Sequence, residues 1–310
     1  MYTTITNDAE LTRNVLSSLG KSWDERVAVR KDRLDLDQYY DPAIPDFPPA
    51  LVPFWDDADF AGVSNDTKKR LLATAWIAYN EKAIYLEEAI VQPACGILFR
   101  GELPGVGDPR IKQVIAQIQV DEQFHILMCL DICHVARHRH GLQDYVFPEP
   151  NLGARLRDLL GEADCAEDAR IAQVAYASVA EMSINAYLDA VAGDMTIQPL
   201  NRINTDMHRR DEAAHGIGFS EIVGSVYRRM SARQQGRFRD YVGRALHDFT
   251  RPDLGYWASI LAYLDIPHRE RILQRQENST RGMVLKRDYS TLRRLFDELG
   301  STADIDFDFQ

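Results

Sequence analysis

No apolar run in the 310-residue sequence approaches the length needed to cross a bilayer, which argues against a membrane-spanning helix. The opening residues, Met1 to Thr6, lack both the basic and the apolar region of a signal peptide, so the chain is expected to be cytoplasmic. Dense Lys/Arg patches are also missing. With 36 basic and 47 acidic residues the net charge is −11, and nucleic acid and anionic membrane are poor candidates as partners. There are four cysteines and no second close Cys or His pair. Cys95, Cys129, Cys133 and Cys165 are therefore read as structural rather than as a thiolate metal site. No G-x-S-x-G elbow, P-loop or strand–GxGxxG–helix fingerprint is found, so a built-in flavin or nicotinamide domain is not expected. Strand-like alternation is nearly absent.

What is present is helical periodicity. With 45% hydrophobic residues the chain can bury a sizeable core, and it is read as a single all-α domain over 1–310. Residues 1–65 form an N-terminal arm, in which Pro42, Pro45, Pro48, Pro49 and Pro53 predict an extended stretch between Asp41 and Phe54. A four-helix core spans 66–230, and extra helices with a C-terminal tail occupy 231–310. Main helices are expected over 66–99, 109–140, 167–193, 198–229 and 232–249, with shorter ones over 254–264 and 268–276. Asp108-Pro109 is a cap followed by Pro at the first helical position, and Gly141 is the matching stop. Pro93 leaves the Ala89 carbonyl without its usual donor and is expected to kink its helix. The architecture implied is a helix bundle with an arm at one end and an appendage at the other.

One phrase occurs twice: Asp121-Glu122-Gln123-Phe124-His125 and Asp211-Glu212-Ala213-Ala214-His215. Glu and His three apart project to one side of a helix, so each phrase offers a metal a carboxylate and an imidazole together. Bundles that hold two metals use Glu-x-x-His from two helices and one Glu from each of two others. Glu122 and His125 share a face with Ile111, Ile115, Ile118, Cys129 and Ile132. His208, Glu212 and His215, at i, i+4 and i+7, run in line with Phe219, Ile222 and Val226. Ionised side chains on such apolar faces cost several kcal/mol unless they are paired or metal-bound. Glu181 supplies the third helix, with Asn185 one turn on. Glu87 supplies the fourth, chosen over Glu88 because it lines up with Trp76, Asn80, Ala83, Ile84 and Val91. Asp121 and Asp211 are each expected to accept the free ring N–H of a ligand histidine from the opposite half. One Glu-x-x-His is ordinarily a solvated pair. Two Asp-preceded copies on apolar faces, separated by an inward glutamate, are hard to ascribe to chance. The donors suit iron or manganese, a choice the sequence leaves open.

At these residues the sequence resembles the arylamine N-oxygenases typified by p-aminobenzoate N-oxygenase, ferritin-like di-iron enzymes. The resemblance rests on Trp76-Ile77-Ala78-Tyr79-Asn80-Glu81, Val120 to His125, Val179-Ala180-Glu181, Ile184-Asn185-Ala186 and His208 to Gly216. It runs from Phe47-Pro48 through Thr196-Ile197-Gln198-Pro199 to the acidic tail Asp304 to Phe309. The third histidine, His208, is its most specific element. The resemblance implies a ferritin-like bundle with Glu87, Glu122, His125, Glu181, His208, Glu212 and His215 as ligands. It also implies two iron ions, O2 as co-substrate and oxidation of a small-molecule amine through hydroxylamine toward nitroso or nitro in natural-product biosynthesis. A homodimer and an external reductase or ferredoxin-type donor are implied as well. Asp121, Asp211 and Asn185 are placed behind the ligands, and Tyr79, Asn80 and Lys82 in the substrate pocket. Lys82 stands where aminobenzoate-oxidising relatives carry arginine, and a lysine cannot grip a carboxylate bidentately. The competing readings are a di-iron C–H oxidase or desaturase, a ferritin-like iron-binding protein without an organic substrate, and a radical-generating subunit.

Overall fold

Capping residues set several helix starts in the computed structural model, which describes residues 2–31, 35–277 and 288–309. In chain order the helices are α1 (Tyr2–Arg26), α2 (Ala58–Ala61), α3 (Asn65–Leu86), a wider π turn (Glu87–Val91), α4 (Gln92–Arg100), α5 (Pro109–His140), α6 (Asn151–Gly161), α7 (Ala166–Glu181), α8 (Asn185–Ala192), α9 (Pro199–Arg229), α10 (Ala232–Thr250), α11 (Leu254–Tyr263), α12 (Arg269–Glu277) and α13 (Ser290–Glu298). There is no strand among the described residues. Ser64 caps α3 by accepting from the Thr67 N–H. Asp108 caps α5 ahead of Pro109, and Gly141 ends it in the left-handed conformation. Ser231 and Gln234 close a reciprocal capping box on α10. The expected all-α helix bundle is what forms, with α5 packed against α3, α4 and α9, and α7 against α9 and α10.

Three expectations are corrected. Residues 2–26, assigned to an arm, form the helix α1, which lies on α5 and α9. Its inward stripe is narrow, with Leu16 buried and Leu19 packed against the core, so local periodicity barely shows it. The single helix expected over 167–193 breaks at Met182–Ile184, although no Pro or Gly is there. The break coincides with α9, where a methyl at Gly216 would sit 3.0 Å from the Glu181 carbonyl oxygen. Three short helices, α2, α6 and α13, were not expected. At Pro93 the anticipated gap is filled: Gln173 Nε2 donates to the Ala89 carbonyl at 3.1 Å and the Ile90 carbonyl at 2.9 Å, and the preceding turn widens to a π turn.

The proline-rich stretch is irregular apart from a 3-10 turn at Pro49–Leu51. Its backbone is stitched to the start of α9. Gln198 Nε2 donates to the Asp41 and Ile44 carbonyls, and Asn201 Nδ2 to that of Asp46. His140 Nε2, in the last turn of α5, lies 2.9 Å from Asp46 Oδ2.

Two apolar clusters form the core. One gathers Ile90–Leu98, Ile111–Ile118, Ile171–Met182 and Phe219–Val226 with α10 and α13. The other gathers Phe47–Phe60, Leu71–Ala78, Ile132–Ala136, Val191 and Leu200 with α11 and α12. On α5, on α9 and along the run from α3 to α4 the interval between the clusters carries charge (Glu122 and His125; His208, Glu212 and His215; Glu87), and Glu181 adds a fourth carboxylate at the end of α7.

Candidate metal centre

The interval brings all seven side chains together, each buried. Glu87 opens the π turn and is turned inward, while Glu88 is exposed. His208 Nε2 lies 3.0 Å from Glu87 Oε1 and 3.2 Å from Glu212 Oε1. His125 Nδ1 is 3.5 Å from Glu122 Oε2 and 3.3 Å from Glu212 Oε1. His215 Nδ1 is 2.9 Å from Glu122 Oε1, 3.4 Å from Glu212 Oε1 and 3.7 Å from Glu181 Oε2. Two overlapping groups have ligand atoms within 4.8 Å of one another: Glu87, His125, His208 and Glu212, and Glu122, His125, Glu212 and His215.

The outer ring nitrogens cross over. His125 Nε2 faces Asp211 Oδ2 at 3.2 Å, and His215 Nε2 faces Asp121 Oδ2 at 3.1 Å. Each phrase thus supplies the carboxylate that orients the other's imidazole, leaving both Nδ1 atoms pointed at the glutamates. The inner atoms have no hydrogen-bond partner: Glu87 Oε2, both Glu122 oxygens, Glu181 Oε2, Glu212 Oε2, His125 Nδ1 and His215 Nδ1. Orphaned buried polar atoms are rare and costly, and seven converging on one spot have a simple remedy in a bound cation. Hard carboxylate oxygens with imidazoles, and no thiolate in either group, fit iron or manganese.

Protonation in the metal-free cluster follows from burial and crowding. Burial pushes the Glu87 carboxyl up to about 7 against the pull of His208. Burial, then Glu122 and Glu212, hold Glu181 well above the usual carboxylate range. Burial alone would raise Glu212, but the charge of His215 and the closeness of the other two imidazoles bring it well below the usual carboxylate range. Burial would likewise depress His125 and His215, yet their carboxylate partners raise both well above an ordinary imidazole. Protons occupy places a cation would take.

Glu87, Glu181, His208 and Glu212 form part of the wall of a cavity of about 1120 Å³. Its sides include the proline-rich stretch, the aromatic residues Tyr256 and Trp257, and Phe307 and Phe309 of the tail. Of the three expected pocket residues, Tyr79 and Lys82 line it. Tyr79 packs against Tyr187 with ring centroids 5.1 Å apart. Lys82 Nζ lies 3.5 Å from Asp253 Oδ2 and 4.1 Å above the Tyr256 ring. Asn80 is off the wall: it is buried, and its amide donates to the Trp76 carbonyl of its own helix at 2.9 Å. Asn185 begins α8 after the break, half-buried beside Gly216, and no longer continues the face of Glu181. Sequence reasoning missed Gln173, Asp253, and Trp23, whose Nε1 donates to Asp121. No local pattern could have found Trp23, which is 98 residues away from its partner.

Comparison with known proteins agrees with this geometry. The family model described as "P-aminobenzoate N-oxygenase AurF" matches residues 9–300. The chain belongs to the p-aminobenzoate N-oxygenase family. It is 34% identical over 298 residues to the 4-aminobenzoate N-oxygenase of Streptomyces thioluteus, covering 95% of this chain and 88% of that relative. The family match spans all seven buried Glu and His residues, both aspartates behind them and most of α1, and stops short of the tail that lines the cavity. Among the described residues no helix is long and apolar enough to cross a membrane.

Proposed function

We propose that this chain is an O2-dependent N-oxygenase that oxidises the amine of a small molecule at a di-metal centre held by Glu87, Glu122, His125, Glu181, His208, Glu212 and His215. The observation that carries the reading is the set of seven orphaned buried atoms, beside a cavity that Glu87, Glu181 and Glu212 line, in a member of this family. Two iron ions bound there, or manganese in their place, would supply the redox chemistry that O2 activation requires. The protein's own part is positional. Asp121 and Asp211 fix the imidazoles, and the ligands from four helices hold their geometry through the packing on either side. The cavity admits the amine toward Glu87 and His208, with Tyr79 and Tyr187 beside the path. Because the N-oxygenase of Streptomyces thioluteus acts on 4-aminobenzoate, an arylamine is the first substrate class to test. A ferritin-like bundle, a homodimer, and electrons from an external reductase or ferredoxin-type donor complete the reading. The family match supports nitrogen over carbon oxidation, storage or radical generation.

The test is to load metal-free protein with Fe(II) anaerobically, admit 18O2 with a reductant, and offer aromatic and aliphatic amines. The expected product is an arylamine that has gained labelled oxygen on nitrogen. A chain shown to hold two irons that labels only carbon, or no substrate at all, would overturn the assignment.

A further inference from the structure

Both aspartates that hold the crossed imidazoles take hydrogen bonds from the same short stretch at the end of α1. Trp23 Nε1 lies 2.9 Å from each oxygen of Asp121. Five residues on, the Ala28 N–H donates at 3.0 Å to Asp211 Oδ2, the oxygen that faces His125. Between them Arg26 reaches to 3.6 Å from Asp211 Oδ1, and Val27 is fully buried. The two contacts span 98 and 183 residues of sequence, so they exist only when the N-terminal helix is docked.

We propose that residues 23–28 are a clasp of the metal centre and that Trp23 is a positioning residue, holding Asp121 so that His215 presents Nδ1 inward. The clasp rests on the di-metal reading above. A carboxylate that accepts from an imidazole can rotate unless a second donor fixes it, and the indole N–H is a rigid donor with no competing acceptor function. Losing it frees Asp121 and, through it, the orientation of His215. The coupling is reciprocal: a metal ion that fixes the imidazoles also fixes the aspartates, and thereby favours the docked α1. The two halves differ in charge. Asp211 shares a guanidinium, whereas Asp121 meets a neutral indole and keeps more of its negative charge for His215.

Trp23→Phe keeps the aromatic packing and removes the donor. Binding of Mn(II) to metal-free protein, followed by titration calorimetry, is expected to weaken by roughly 10- to 100-fold, the usual cost of losing an outer partner of a ligand histidine. Circular dichroism should match the wild type, and the metal-free variant should still melt cooperatively, at a modestly lower temperature for the lost buried hydrogen bond. Trp23→His, which restores a ring N–H, should recover part of the affinity. In an Asp121→Asn background the Phe change should cost little more, because both act through one contact. Mn(II) should slow tryptic cleavage after Arg26 and Arg30 in the wild type and do so less in Trp23→Phe. Unchanged Mn(II) affinity in Trp23→Phe, or a loss fully additive with Asp121→Asn, overturns the clasp and leaves the metal reading standing. A wild type that binds neither Mn(II) nor, anaerobically, Fe(II) overturns both.

Discussion

Glu212 is the hub of the cluster. Its Oε1 lies 3.2 to 3.4 Å from the nearest ring nitrogen of all three histidines, and it belongs to both metal-capable groups. Glu212→Gln is therefore expected to abolish stoichiometric binding of both metals, while Glu181→Gln, at the edge, should weaken one; metal analysis after desalting checks this. Farther along the cavity, the ammonium of Lys82 faces Asp253 and the Tyr256 ring, which leaves it partly neutralised toward a substrate carboxylate. Asp253→Asn should raise kcat/KM for an aminobenzoate by roughly tenfold relative to an uncharged arylamine, the scale of one charge-assisted hydrogen bond. Lys82→Met should move the ratio the other way, and an unchanged ratio in both variants would remove Lys82 from substrate recognition. At this scale the sequence was most legible where a pattern repeats. Two Asp-Glu-x-x-His phrases on apolar faces already specify which side chains turn inward. Direction alone did not say what an inward polar group meets: Asn80 folds back on its own helix, and Asp121 finds an indole from a remote segment.

Helices with long periods and clear caps were readable, α5 from Asp108-Pro109 to Gly141 above all. Helix breaks set by tertiary contact were not. The gap between α7 and α8 is matched to the close approach of α9, and α1 shows too thin an apolar stripe to stand out from its polar residues. The π turn was half legible, since Pro93 announces a missing donor but not that Gln173 replaces it. Gln173→Leu should cost about 1–3 kcal/mol by leaving the Ala89 and Ile90 carbonyls buried without a partner. It should also loosen metal binding, because Glu87 sits in that turn. Chemical unfolding together with metal affinity separates the two effects. Gly216→Ala places a methyl 3.0 Å from the Glu181 carbonyl and should push the end of α7 outward. Metal affinity should fall although no ligand is changed, and a variant with wild-type affinity would show that the approach has slack.

Across the whole molecule, two apolar clusters grip the ends of four helices and hold a charged layer between them, so burial and protonation of that layer are properties of the fold. The sign of the pH dependence follows. In the metal-free fold the carboxyl of Glu87 is raised to about 7 and the imidazoles of His125 and His215 lie well above their ordinary value. Protons therefore leave when metal enters, and apparent metal affinity should climb as pH rises through neutrality. The same raised values favour the metal-free fold at low pH, and that contribution is lost as pH rises through the folded-state values, the Glu87 part between its ordinary value and about 7. Calorimetric titrations in buffers of different ionisation heat should report net proton release at pH 7, and none released would contradict the charge assignment.

The central claim, that this layer is a di-metal site, is tested most directly by anaerobic titration of metal-free protein with Fe(II), counting ions retained per chain. The account predicts two in the wild type and fewer in a His208→Ala variant that remains folded. Retention of none, or of many more than two, would contradict it.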